Sequence, residues 1–149
     1  MIALLDVNVL IALAWQNHMH YEAAHRWFAA NSGRGWATCP ATQAGFVRVS
    51  GQPAAVKTLI PMHNALTLLE ANLGSPDHHF WPQDAPLTTM LPEIRARIMG
   101  PRQMSDAILL DLAIRNKGTL VTFDSRITQL LPAGSPFLKC IELIGGVLG

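Results

Sequence analysis

The chain has 149 residues, half of them hydrophobic and only 14% charged, with a formal net charge of +1. That length suits one domain, residues 1–149, with a sizeable core, and the near-zero charge excludes nucleic-acid binding by bulk charge, so any RNA contact needs a local patch. Cys39 and Cys140 give neither metal-ligand spacing nor a secreted disulfide framework. The N-terminus lacks a signal peptide's basic start and no apolar run approaches the ~18 residues of a membrane span, so a cytoplasmic protein is expected.

Ile2 to Leu5 is a short apolar run closed by Asp6. It reads as a strand buried on both faces, as in parallel sheets. Asp6 then stands at the carboxyl end of the strand, where open α/β sheets bind ligands, and Asp there also suits a helix cap. Asn8 to Trp15 reads as a first helix. Tyr21 to Ala30 is a second, with Ala24, Trp27 and Phe28 at helical spacing and Asn31-Ser32-Gly33 ending it. Trp36 to Cys39 is a short strand, and Pro40 opens a helix to about Ser50, broken by Gly51-Gln52-Pro53. Pro61 to Leu73 is helical, with Leu66, Leu69 and Leu73 on one face. His79-Phe80-Trp81-Pro82 is extended, following His78 in a loop whose aromatics, Phe80 and Trp81, are packed. Leu87 to Ile98 is weakly helical and interrupted by Pro92. Gln103 to Asn116 is a helix with Gly118 near its C-cap. Thr119 to Phe123 is a strand closed by Asp124, and Cys140 to Leu143 is a last strand. Four or five strands alternating with six or seven helices predict an α/β fold, a parallel sheet covered on both faces.

The carboxylates carry the chemistry. Asp124 follows its strand as Asp6 follows Ile2 to Leu5, so both belong to one sheet edge. On the helix from Gln103, Asp106 shares a face with Leu109, Leu110 and Ala113 and points with the apolar stripe. An ionised carboxylate there is costly without a cation or donors. Asp111 lies off that stripe, with Arg115 four residues on, and reads as a solvated surface ion pair. Three converging carboxylates repel one another unless a metal ion lies between them, and oxygen ligands suit Mg²⁺ or Mn²⁺.

The segments LLDVNVLIAL, WATCPATQAGFVRVS and QMSDAILLDLAIRNKGTLVTFDSRI, with His79-Phe80-Trp81-Pro82, resemble the PIN-domain ribonucleases, and among them the VapC toxins of bacterial toxin–antitoxin pairs. The likeness covers nearly the whole chain in motif order. It implies a PIN fold, Mg²⁺- or Mn²⁺-dependent endoribonuclease activity on an RNA substrate, inhibition by a VapB-like antitoxin, and a homodimer. Carried over, Asp6, Asp106 and Asp124 are the metal ligands. Asn8 and Ser105 lie beside them as orienting groups or as local helix caps. The departure is Gln43, where many such nucleases carry Glu. Gln43 shares a helix face with Phe46, Val47 and Ser50 and offers a neutral oxygen but no charge. No Asp or Glu between Glu22 and Glu70 replaces it.

Other residues are weaker signals. His18, His20 and His25 lack the spacing of a zinc site. Arg48 lies on the Gln43 helix at a different angle, placed for an RNA phosphate or an antitoxin carboxylate, or simply a surface Arg. Arg95, Arg97 and Arg102 form the nearest thing to a basic patch. A dinucleotide-binding reading fails because the first turn, Asp-Val-Asn, has no glycine. A haloacid-dehalogenase-like phosphatase wants Asp where Asn8 stands. The alternative of another class is a PIN-fold protein with weak or no catalysis that binds an antitoxin or RNA. Gln43 favours it, and the three Asp residues favour an enzyme.

Overall fold

The computed structural model describes residues 1–56 and 59–145. Five short strands form one parallel sheet: β1 (Ala3–Leu5), β2 (Trp36–Thr38), β3 (His78–Phe80), β4 (Thr119–Thr122) and β5 (Ile141–Leu143), in the order β3-β2-β1-β4-β5. Among the described residues seven α-helices cover it: α1 (Val7–Ala14), α2 (Tyr21–Asn31), α3 (Pro40–Ser50), α4 (Pro53–Val56), α5 (Met62–Leu73), α6 (Pro92–Arg95) and α7 (Met104–Arg115). No helix among the described residues is long and apolar enough to cross a membrane.

The central strands β1, β2 and β4 are buried throughout because both faces are covered. Side chains alternate across the sheet. Leu4, Ala37 and Leu120 pack with Leu109 and Leu110 of α7, whereas Ala3, Leu5, Trp36 and Val121 pack with Val9 and Ile11 of α1 and Phe46 of α3. Leu4, Leu5 and Leu120 are fully buried. Each such side chain contributes about 1.5–3 kcal/mol by leaving water.

The register places the functional edge. Leu5 of β1 is paired with Val121 of β4, so Asp6 and Asp124 leave the sheet on one side, just past adjacent strand ends. The connection after β1 leads to β2 on one side, and the one after β4 leads to β5 on the other. The crevice between them is the switch point where open α/β sheets place ligands.

Several expectations are refined. Helix α1 begins at Val7, one residue earlier than expected, because Asp6 caps it. The break after Gly51 contains the short α4. The Leu87–Ile98 stretch resolves into a 3-10 turn (Leu87–Thr89) and the single-turn α6, with Pro92 at its start. His78 and His79 belong to the edge strand β3, and only one aromatic after them is packed: Trp81 is buried while Phe80 is half exposed.

Gly118 lies near the α7 C-cap as expected, and the left-handed conformation there belongs to Lys117, with φ 56. Gly118 is required because a Cβ there would run into the Ile2 carbonyl oxygen and the Trp81 ring. One correction has a clear cause. Asp111 is not a solvated ion pair. Its side chain is mostly buried and accepts from the Leu91 N–H at 2.9 Å and from Arg115 Nε at 2.7 Å. Arg115 also donates to the Thr89 carbonyl, so the pair fastens the 89–91 segment onto α7. A position off the Asp106 stripe with Arg115 four residues on says nothing about a chain segment returning over that face.

Candidate active site

Asp6 terminates β1 and is 8% exposed. Its Oδ1 accepts from the Val7 N–H at 2.7 Å, capping α1, and its Oδ2 accepts from the Thr122 hydroxyl at 2.7 Å. The cap and the edge position are one placement: a strand end that is also a helix start holds the carboxylate by both neighbours. Burial pushes the Asp6 carboxyl above its ordinary range, against the pull of the hydrogen bonds from Thr122 and Val7.

Thr122, fully buried, is the hub of the edge. Its hydroxyl donates to Asp6 and accepts from Asn8 Nδ2 at 3.1 Å and from the Asp124 N–H at 3.1 Å. Asn8 Oδ1 accepts from the Phe123 N–H at 3.4 Å. Asn8 therefore ties the start of α1 to the end of β4 and acts on Asp6 through Thr122. Sequence reasoning passed over Thr122. Its signal was a hydroxyl two residues before Asp124, at the end of a buried strand, where a buried polar group demands partners.

Asp106 projects from the first turn of α7 and is half buried. Its carboxyl is pushed up to about 6, first by burial and then by the charges of Asp6 and Asp124. The three carboxylates are thus electrostatic neighbours. Ser105 beside it is exposed and takes no part in the hydrogen bonds that hold the cluster.

Asp124 behaves differently. Arg126 grips it, Nε to Oδ1 at 2.9 Å and Nη2 to Oδ2 at 2.8 Å, and the Arg126 N–H adds a bond to Oδ1 at 3.0 Å. These hydrogen bonds hold the Asp124 carboxyl below its usual range. Arg126 is the second residue that sequence reasoning missed; its side chain is 79% exposed. Among the described residues no three His, Cys, Asp or Glu side chains close into a metal cage as they stand. With Asp124 turned onto Arg126, the donors are gathered at one edge but not yet pointed at one centre.

Gln43 lies in the first turn of α3, which leaves the sheet from β2 next to β1. Its Nε2 donates to the Thr38 hydroxyl at 3.0 Å. Of the basic residues, Arg97 donates to the Gln129 carbonyl at 3.0 Å and Arg95 to the Thr88 carbonyl at 2.8 Å, whereas Arg48 and Arg102 are exposed. The histidines of the zinc alternative serve packing: His20 stacks on Phe123 with centroids 4.6 Å apart, and His25 Nε2 lies 2.8 Å from the Leu13 carbonyl. Both cysteines are free and buried.

The family model of the PIN domain matches residues 3–130. The chain belongs to the PIN-domain family. Ribonuclease VapC39 of Mycobacterium tuberculosis (strain ATCC 25618 / H37Rv) is 43% identical over 134 residues, spanning 90% of this chain and 96% of that protein. Ribonuclease VapC38 of the same strain is 44% identical over 128 residues, spanning 86% and 89%. Among solved structures, VapBC2 from Rickettsia felis bound to a promoter DNA fragment matches with a TM-score of 0.66, covering 97% of this chain and 99% of that chain at 17% identity. That last likeness is one of fold. It agrees with the five-stranded parallel sheet of this PIN domain.

Proposed function

We propose that this PIN domain is a divalent-metal-dependent endoribonuclease, the toxin of a VapBC-type pair, held in check by a VapB-like antitoxin and acting in the cytoplasm as a homodimer. The observation that carries this is the mutual repulsion of Asp6, Asp106 and Asp124 at one sheet edge, in a chain 43% identical to a VapC ribonuclease. Carboxylates close enough for Asp124 to raise Asp6 and for both to raise Asp106 fit a hard cation, and Mg²⁺ or Mn²⁺ suits such donors. Asp6, Asp106 and Asp124 would hold the ion. When bound, it supplies Lewis acidity toward water and toward a phosphodiester's charge.

The chain's own residues do the rest. Thr122 and Asn8 fix the Asp6 carboxylate in direction. Asp124 would turn from Arg126 to hold the ion, and the released guanidinium would be free to take an RNA phosphate. Gln43 helps orient solvent with a neutral oxygen. The exposed Arg102 and Arg48 add positive charge for the RNA backbone. Large exposed apolar side chains on and before α5, Leu59, Met62 and Leu66, support a covered surface for a second copy or the antitoxin.

The alternative reading is a catalytically weak PIN protein that binds antitoxin or RNA. Gln43 favours it, since it brings no negative charge. Incubating purified protein with total cellular RNA under a Mg²⁺ and Mn²⁺ titration, with Asp6→Asn alongside, separates the two. Discrete metal-dependent fragments that disappear in Asp6→Asn are expected. No cutting by folded protein in either ion supports the binding role.

A further inference from the structure

The Gln43 amide is not free to turn. Its Nε2 donates to Thr38 Oγ1, and Thr38 Oγ1 lies 2.7 Å from His78 Nε2. Thr38 is fully buried at the end of β2, and His78 is partly buried at the start of β3, its ring against Trp36 with centroids 4.8 Å apart.

The protons in this chain have one consistent direction. Thr38 is fully buried, so its one hydroxyl proton needs an acceptor. The Gln43 amide nitrogen donates and is not that acceptor, which leaves His78 Nε2 as the bare, accepting nitrogen, and burial favours the neutral ring that this requires. Thr38 therefore donates its hydroxyl proton to His78. A hydroxyl has one proton, so Thr38 can only accept from Gln43. One NH₂ hydrogen of Gln43 is thereby committed to Thr38, and Oε1 is left without a protein partner among the described residues.

We propose that Thr38 and His78 are positioning residues that fix the Gln43 amide so that its carbonyl Oε1, and not its NH₂, is offered to the edge carrying Asp6, Asp106 and Asp124. This rests on the ribonuclease reading above. An NH₂ turned to that edge would compete with a cation for the carboxylates, whereas a carbonyl oxygen adds a neutral hard donor to them or to their water. The same logic explains why Gln, Thr and His form a matched set. A Glu at position 43 has no proton for Thr38, so it could be satisfied only by taking the hydroxyl proton away from His78. Gln43→Glu alone then breaks the chain at His78, and the added charge comes with a misplaced Thr38.

The test uses the full chain and the variants Thr38→Val and Thr38→Ser. Proton–nitrogen NMR of wild type should show His78 protonated at Nδ1 with Nε2 bare. The Gln43 NH₂ resonances should move in Thr38→Val and return in Thr38→Ser. In metal-dependent RNA cleavage, kcat should fall about tenfold in Thr38→Val with KM changed less than about twofold, and Thr38→Ser should restore it. A His78 protonated at Nε2 overturns the proposal. So does a Thr38→Ser as slow as Thr38→Val, which assigns Thr38 a packing role. Wild-type protein that cuts no RNA overturns the ribonuclease reading instead. The NMR arm then still decides the hydrogen-bond chain, supporting it if the Gln43 signals move in Thr38→Val and overturning it if they do not.

Discussion

Replacing Asp106 by Asn should stabilise the metal-free protein at neutral pH while removing its response to divalent cations. The Asp106 carboxyl rises from 3.8 to about 6. At 1.36 kcal/mol per unit, that is at most about 3 kcal/mol of cost for ionising it in the folded state. The side chain is only half buried, and solvent screening reduces the figure to about 1–2 kcal/mol. The sign follows from which state binds the proton more tightly. Here it is the folded state, so the carboxyl is neutral in both states below about pH 4, stability falls as pH rises from ~4 to ~6, and the full cost is present above that. Asn carries no charge at any pH. Urea denaturation in EDTA should show Asp106→Asn close to wild type near pH 4 and about 1–2 kcal/mol more stable at pH 7.5, a gain of roughly 3–6 °C in Tm. Mg²⁺ should then raise the wild-type Tm and leave the variant unchanged. An equal gain at both pH values would refute electrostatic crowding as the cause, and a loss at pH 7.5 would refute the placement of Asp106 beside Asp6 and Asp124.

Asp6→Asn should abolish RNA cleavage while far-ultraviolet circular dichroism stays unchanged, because Asn also caps a helix well. Arg126→Gln should tighten Mg²⁺ binding a few-fold in calorimetry by releasing Asp124, and weaken the KM for RNA; weaker Mg²⁺ binding would refute the exchange. Gly118→Ala should lower stability by about 1–3 kcal/mol in urea denaturation, since the Ile2 carbonyl and Trp81 must give way. Asp111→Ala should cost about 1–3 kcal/mol by orphaning the Leu91 N–H, with proteolysis between residues 86 and 91 as a second readout.

The sheet and its edge were legible because the cause is local. A strand covered on both faces has to be apolar, so Asp6 and Asp124 mark strand ends by interrupting apolar runs. Helical spacing put Asp106 with Leu109 and Leu110, and Ala107, Leu109 and Leu110 are indeed buried while Asp106 is half buried beside them. What stayed hidden depends on partners distant in sequence. Thr122 reaches Asp6 across 116 positions, and His78 reaches Thr38 across 40. Asp111 looked solvated because its second partner, Leu91, lies on a segment with no periodicity to announce its path. The grip of Arg126 on Asp124 was near in sequence, yet a short 3-10 turn (Ser125–Leu130), not a regular helix or strand, brings the guanidinium back over the carboxylate. The need for a glycine at 118 was hidden for a related reason: the close approach of Ile2 and Trp81 brings together positions distant in sequence.

The central claim is that Asp6, Asp106 and Asp124 together hold the catalytic cation. Anomalous diffraction at the manganese edge, from crystals of the wild-type chain grown with Mn²⁺, tests it most directly. The account predicts a peak bonded to all three carboxylates at about 2.0–2.2 Å, with Arg126 turned off Asp124. A manganese bound elsewhere, or a site that leaves Asp124 on Arg126, would contradict it.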